Sequence, residues 1–143
     1  MRLNSVTANR HVFDDQVNGK PLRLVLGFDG GRWLRLQAAG DGARMIADKG
    51  ELDAPADLGE YGQIDSADVT QSLFPMLSGF EVEELRALAS NGRTVGVQLN
   101  TALGQPFHFW VDGDELHWGD EAALANHDWL DGVAPTPSDR IEV

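Results

Sequence analysis

Leu22, Leu24, Leu26 and Phe28 alternate with Arg23, Val25 and Gly27, and Leu34 and Leu36 resume the period of two after a turn. Alternation of this kind predicts a half-buried strand on either side of the turn. The Asp-Gly-Gly at 29–31 supplies a three-residue loop, with Gly31 suited to the left-handed position that closes such a hairpin. Pairing Leu26 with Leu34 and Leu24 with Leu36 makes one face continuously apolar. Arg23, Arg35 and Gln37 then share the other face. A Gly-Asp-Gly at 40–42 punctuates the pattern, and residues 43–48 predict a third short strand through Met45 and Ile46.

Residues 49–68 hold acids, glycines and Pro55 with few apolar anchors, which predicts a long loop containing one short strand at 61–64. Such a segment can carry a binding surface. Val69, Leu73, Met76 and Leu77 repeat at helical spacing, but Pro75 limits the helix to a short turn ending near Phe74. Over 81–89, Val82, Leu85, Leu88 and Ala89 form one helical stripe. Glu81, Glu83 and Glu84 suit its positive N-terminal end, and Asn91 with Gly92 suits its stop. The spacing therefore predicts the main helix here. The competing reading is a strand that enters an Asn-Gly hairpin with residues 93–100, where Val95, Val97 and Leu99 alternate.

The last hairpin lies in "PFHFWVDGDELHWG" at 106–119. With Asp112 and Gly113 as a two-residue turn, Phe109 faces Leu116 and His108 faces His117. Alternation puts Phe107, Phe109, Val111, Leu116 and Trp118 on a core side, and His108, Trp110, Glu115 and His117 on the other. Together these elements predict a single acidic α+β domain over residues 1–133. It has a curved antiparallel sheet of hairpins, about five or six strands, with one main helix packed on one face. Pro135 and Pro137 make residues 134–143 an extended C-terminal tail. A mostly-β half-barrel is the alternative if 81–99 form a hairpin.

Charge narrows the function classes. Asp and Glu number 23 against 11 Lys and Arg, a formal charge of -12, and only Lys20 and Lys49 are lysines. A field of that sign opposes nucleic-acid phosphates and anionic membranes and favours a basic protein as partner. The same acids can also serve solubility alone. The chain has no cysteine, which excludes disulfides, thiolate metal sites and cysteine nucleophiles. No apolar run approaches the roughly 20 residues of a membrane span, and the N-terminus has no signal-peptide pattern. The expected location is cytoplasmic.

No motif assigns a catalytic residue, a cofactor or a metal. The glycines at 27–31 lead into a strand rather than a helix, unlike a phosphate loop. Trp110, flanked by His108, His117 and Glu115, has the composition of an aromatic anchor ringed by polar groups. Trp129 and Leu130 are expected to pack the chain's end onto the sheet; the alternative is that Trp129, flanked by Asp128 and Asp131, extends an acidic interface. These residues predict a non-enzymatic protein-binding domain. By size and charge alone it suits a cytoplasmic inhibitor of the toxin-immunity kind, occluding a basic partner. Two alternatives stand beside it. One is a structural or accessory homo-oligomeric subunit. The other is a small metal-binding protein or enzyme using His108, His117 and Glu115.

Overall fold

Eleven residues in continuous extended conformation, Leu3–Phe13, form β1, the central strand of a first antiparallel sheet. The computed structural model describes all 143 residues. β2 (Gln16–Val17) folds back on β1 through Asp14 and Asp15, both at positive φ, the requirement of a tight two-residue hairpin. β3 (Arg23–Phe28) and β4 (Trp33–Ala38) pair Leu24 with Leu36 and Leu26 with Leu34, as the alternation requires. Gly30 and Gly31 take φ of 72° and 71° in the intervening loop. β5 (Met45–Asp48), β6 (Ala56–Asp57) and β7 (Gln63–Asp68) complete the order β5-β4-β3-β1-β7-β6, with β2 beside β1.

Two cross-strand ion pairs brace this sheet. Arg35 grips Asp48 through two hydrogen bonds of 2.9 and 2.8 Å, and Arg10 grips Asp65 at 3.0 and 2.7 Å. Each joins residues that face one another in the ladder. The guanidinium hydrogen bonds hold both carboxyls below their ordinary range.

The main helix expected over 81–89 does not form. Glu84–Ser90 is instead strand β8, paired with β9 (Arg93–Asn100) across Asn91 and Gly92 at φ 52° and 74°. The segment satisfies two periods at once. Its helical stripe competes with an alternation in which Leu85 faces Leu99 and Ala87 faces Val97, and sheet pairing overrides local helix propensity. β10 (Phe107–Asp112) and β11 (Glu115–Gly119) extend the second sheet on one side. On the other side, the extended C-terminal residues form β12 (Thr136–Ile141), hydrogen-bonded to β8. The order is β11-β10-β9-β8-β12.

One apolar core joins the two sheets. Leu24, Leu26, Leu34 and Leu36 from the first share a cluster with Leu85, Val97, Leu99, Phe109, Val111 and Leu116 from the second. The connection between β7 and β8 adds Val69, Phe74, Leu77 and Val82. It carries α1 (Thr70–Leu73), as short as Pro75 requires. Phe74 is fully buried, with ring centroids 5.6 Å from Phe109 and 4.8 Å from Trp118. With 50% strand and 13% helix, the fold is a mostly β two-sheet structure rather than one sheet carrying one main helix. The alternative expectation, a mostly β fold in which 81–99 form a hairpin, is met in that part; both sheets are open and no barrel closes. No helix is long and apolar enough to cross a membrane.

Candidate functional site

The 106–119 hairpin turns one residue later than its Asp-Gly signal suggests. Asp112 pairs with Glu115, Trp110 with His117, Phe109 with Trp118 and His108 with Gly119. Gly113 and Asp114 occupy the turn at φ 61° and 63°, and aspartate is one of the few side chains that tolerates the left-handed region. The expected His108–His117 pair is therefore not formed. The two faces survive the slip, because moving the turn by one residue shifts the pairing by two and preserves parity. Phe109, Val111 and Leu116 enter the core. His108, Trp110, Glu115 and His117 share the outer face on three different rungs.

On that outer face, Leu88, Gly96, Trp110 and His117 form a single rung across four strands. Gly96 makes the rung possible. A Cβ there would sit 2.3 Å from the Phe109 carbonyl oxygen and 3.1 Å from Trp110 Cα. On the next rung, a Cβ on Gly119 would lie 2.4 Å from Ala123 Cβ. Ala123 belongs to α2 (Glu121–Asn126), which Asp120 caps by accepting a hydrogen bond from the Ala123 N–H. Gly119 thus lets the short helix lie directly on the sheet, while Gly96 leaves room for the neighbouring strand β10 and the Leu88 side chain.

This covering segment buries Trp110 to 3% exposure. His117 stacks on its ring at 6.0 Å, while His127 and Trp129 approach at 5.4 and 6.3 Å. Asp112 clamps the loop: its Oδ2 accepts from His127 Nε2 at 2.8 Å and from the Leu130 N–H at 3.1 Å. His117 is held between Lys20 Nζ, 2.9 Å from Nδ1, and the Asp112 carbonyl, 3.2 Å from Nε2. Lys20 donating to Nδ1 leaves Nε2–H to donate to that carbonyl, the neutral tautomer. Burial, and then the Lys20 charge, lower the His117 pKa against a weaker upward pull from the Asp112 backbone, with His127 and Glu115 adding smaller opposed effects. His108, 1% exposed, meets the Gln98 side-chain amide at 3.2 Å, and burial likewise lowers its pKa.

Beside the clamp opens a cleft of about 330 Å³ between the β10–β11 turn, the loop after α2, and residues 41–43. Asp41, Asp112, Asp114 and Asp131 line it with Arg93, Ser90, Val95, Val111, Trp129 and Leu130. Three of the four carboxylates have partners: Asp41 pairs with Arg44 at 2.8 Å, Asp112 with His127, and Asp131 with Arg93 at 3.5 Å. Backbone N–H groups of Ala43 and Arg44, with the Arg44 guanidinium, pull the Asp41 pKa down to about 2. Leu130 stands at the mouth, 79% exposed, and a Cβ on Gly113 would lie 3.2 Å from its Cδ1.

A larger cleft of about 600 Å³ lies where the β2–β3 connection meets the same turn, lined by His11, Lys20, Arg23, Asp114 and Glu115 among others. Its cations are engaged: Lys20 with His117, and Arg23 with Asp53 at 3.1 Å.

Of the residues expected to bind, the structure gathers Trp110, His117 and Trp129 into one aromatic cluster. Asp131 lines the smaller cleft, and Glu115 lines the larger. Asp128 is exposed on the covering loop. His108 lies a rung away beneath α2. Asp112, Asp114, Asp41 and His127 complete the arrangement without having been expected. His127 gives no local signal, because its partner is fifteen residues away across a turn. No three His, Asp or Glu side chains converge as a metal ion would require. Neither family models, curated proteins nor solved structures give a match to this chain.

Proposed function

We propose that this is a non-enzymatic binding domain that recognises a basic protein through the surface built by residues 112–131. One observation carries the reading. These twenty residues contain seven acids and no lysine or arginine. Six of the acids, Asp114, Glu115, Asp120, Glu121, Asp128 and Asp131, are exposed. They ride on a segment clamped to the sheet by Asp112 and the tryptophan–histidine cluster, so the charge is presented on a fixed support. Exposed Leu130 supplies an apolar contact within the acidic surround, the composition of an interface centre with a polar rim. An array of this kind accelerates encounter with a basic surface over roughly a Debye length, about 8 Å at physiological ionic strength. Inhibition by occlusion, as a toxin-immunity protein performs it, is the activity this surface suits.

The test compares the native protein with a D114N/E115Q/E121Q/D128N variant as immobilised bait in native lysate at low and high salt. Basic proteins retained by the native bait at low salt, released by salt and lost by the variant are expected. Retention indifferent to both salt and neutralisation refutes the reading.

A further inference from the structure

Resting on that reading, we infer that the 330 Å³ cleft between the β10–β11 turn and the loop after α2 receives a single long basic side chain, arginine or lysine, from the partner protein. The cleft stands at the small end of ligand sites, suited to one side chain rather than a larger molecule. Its walls match such a guest in two ways. Exposed Leu130, with the buried Val95 and Val111 also in the lining, offers apolar surface for a methylene stem, and the lining sets four aspartates against one arginine, Arg93. Asp114 alone among these aspartates has neither an ion-pair partner nor a side-chain hydrogen bond, so its charge is free to engage a cation.

A second observation is independent of the acids. Ser90 is 6% exposed and its Oγ has no hydrogen-bond partner; Trp129 is half-buried, but its Nε1 is sealed from solvent and likewise unpartnered. Both residues line this cleft. Buried polar groups without partners are uncommon because each lowers stability. An arginine residue carries what both lack, guanidinium N–H donors for Ser90 Oγ and a backbone carbonyl for the Trp129 indole, and its entry must shift the cover over these two atoms, which have no accessible surface in the free protein. The Trp129 ring adds a face on which a guanidinium stacks.

The experiment is an ¹⁵N-resolved NMR titration of the full chain with acetyl-Gly-Arg-Gly-amide. Acetyl-Gly-citrulline-Gly-amide serves as a neutral isosteric control. The expected result is saturable movement of the Trp129 indole N–H and of the Leu130, Asp131 and Ser90 amides with the arginine peptide, and none with citrulline. D114N, which keeps a residue tolerant of the left-handed turn, should weaken binding about three- to tenfold while leaving the rest of the spectrum in place. No saturable movement, equal movement with citrulline, or an affinity unchanged in D114N overturns the assignment. Salt-sensitive retention of basic proteins by the native bait, alongside a silent cleft, places the failure in this pocket. Loss of that retention places it in the reading beneath.

Discussion

Replacing Gly119 with alanine tests whether α2 lies on the sheet as described. The new Cβ would stand 2.4 Å from Ala123 Cβ, a separation that real methyl groups do not adopt, so either the helix or the strand must move. Overpacking of this size costs about 1–3 kcal/mol, and here it would lift α2 from Trp110. The contact can be relieved from the other side. With Ala123→Gly, the nearest neighbours of the added methyl become Trp110 Cη2 at 3.7 Å and the residue-123 Cα at 3.9 Å, both ordinary contacts. Ala123→Gly alone costs at most about 1 kcal/mol of helix propensity. The double variant should therefore be nearly as stable as A123G alone, with a coupling of about 1–3 kcal/mol favouring the pair. Urea midpoints for the four proteins, at a common m-value, read this directly. Strict additivity, with the double variant as unstable as the sum of the singles, would refute the packing of α2 on Gly119.

Two further predictions concern the same face. Trp110→Ala removes a ring covered by His117, His127 and Trp129, and should destabilise the protein by about 3–5 kcal/mol in urea unfolding; a loss below about 1 kcal/mol would mean that the segment does not bury it. His117 and His108 have folded pKa values lowered by burial, so the unfolded chain takes up protons first. Their contribution is complete above the unfolded value of about 6.5 and is lost as pH falls below it toward the folded values. His117→Gln should accordingly flatten the fall in urea midpoint between about pH 7.5 and pH 5; parallel curves for the two proteins would count against the buried neutral imidazole.

Local alternation made the β3–β4 hairpin legible down to its register, because Leu24, Leu26, Leu34 and Leu36 give one face nothing but large apolar residues while the other mixes Val25 and Trp33 with Arg23, Arg35 and Gln37. The same rule was ambiguous at 81–90, where leucines at 85 and 88 fit a helix stripe and the alanines at 87 and 89 permit either state. What decided between them was β9 on one side and β12 on the other, the latter some fifty residues away. No local window contains that information. The division into two sheets is distant in the same sense, since β1 pairs with β7 across more than fifty residues. At the site, alternation identified the outer face of the last hairpin but not its cover. The Asp112–His127 contact and the room left by Gly119 depend on how the segment after β11 folds back, and only the aromatic composition of 106–129 hinted at it.

The short and interrupted rims of both sheets limit how another chain can join this one. β5 and β6, the outermost strands of the first sheet, have four and two residues. β12 contains Pro137, which lacks an N–H, and breaks register before Arg140. β11 carries Lys20 against His117 and Trp118. None offers the long, flat ladder of free amides and carbonyls on which an extra strand can zip, the route by which exposed β edges recruit both ligands and aggregates. Strand addition at these rims is thereby disfavoured, which leaves side chains on turns and loops as the surfaces open to contact, under a formal charge of -12.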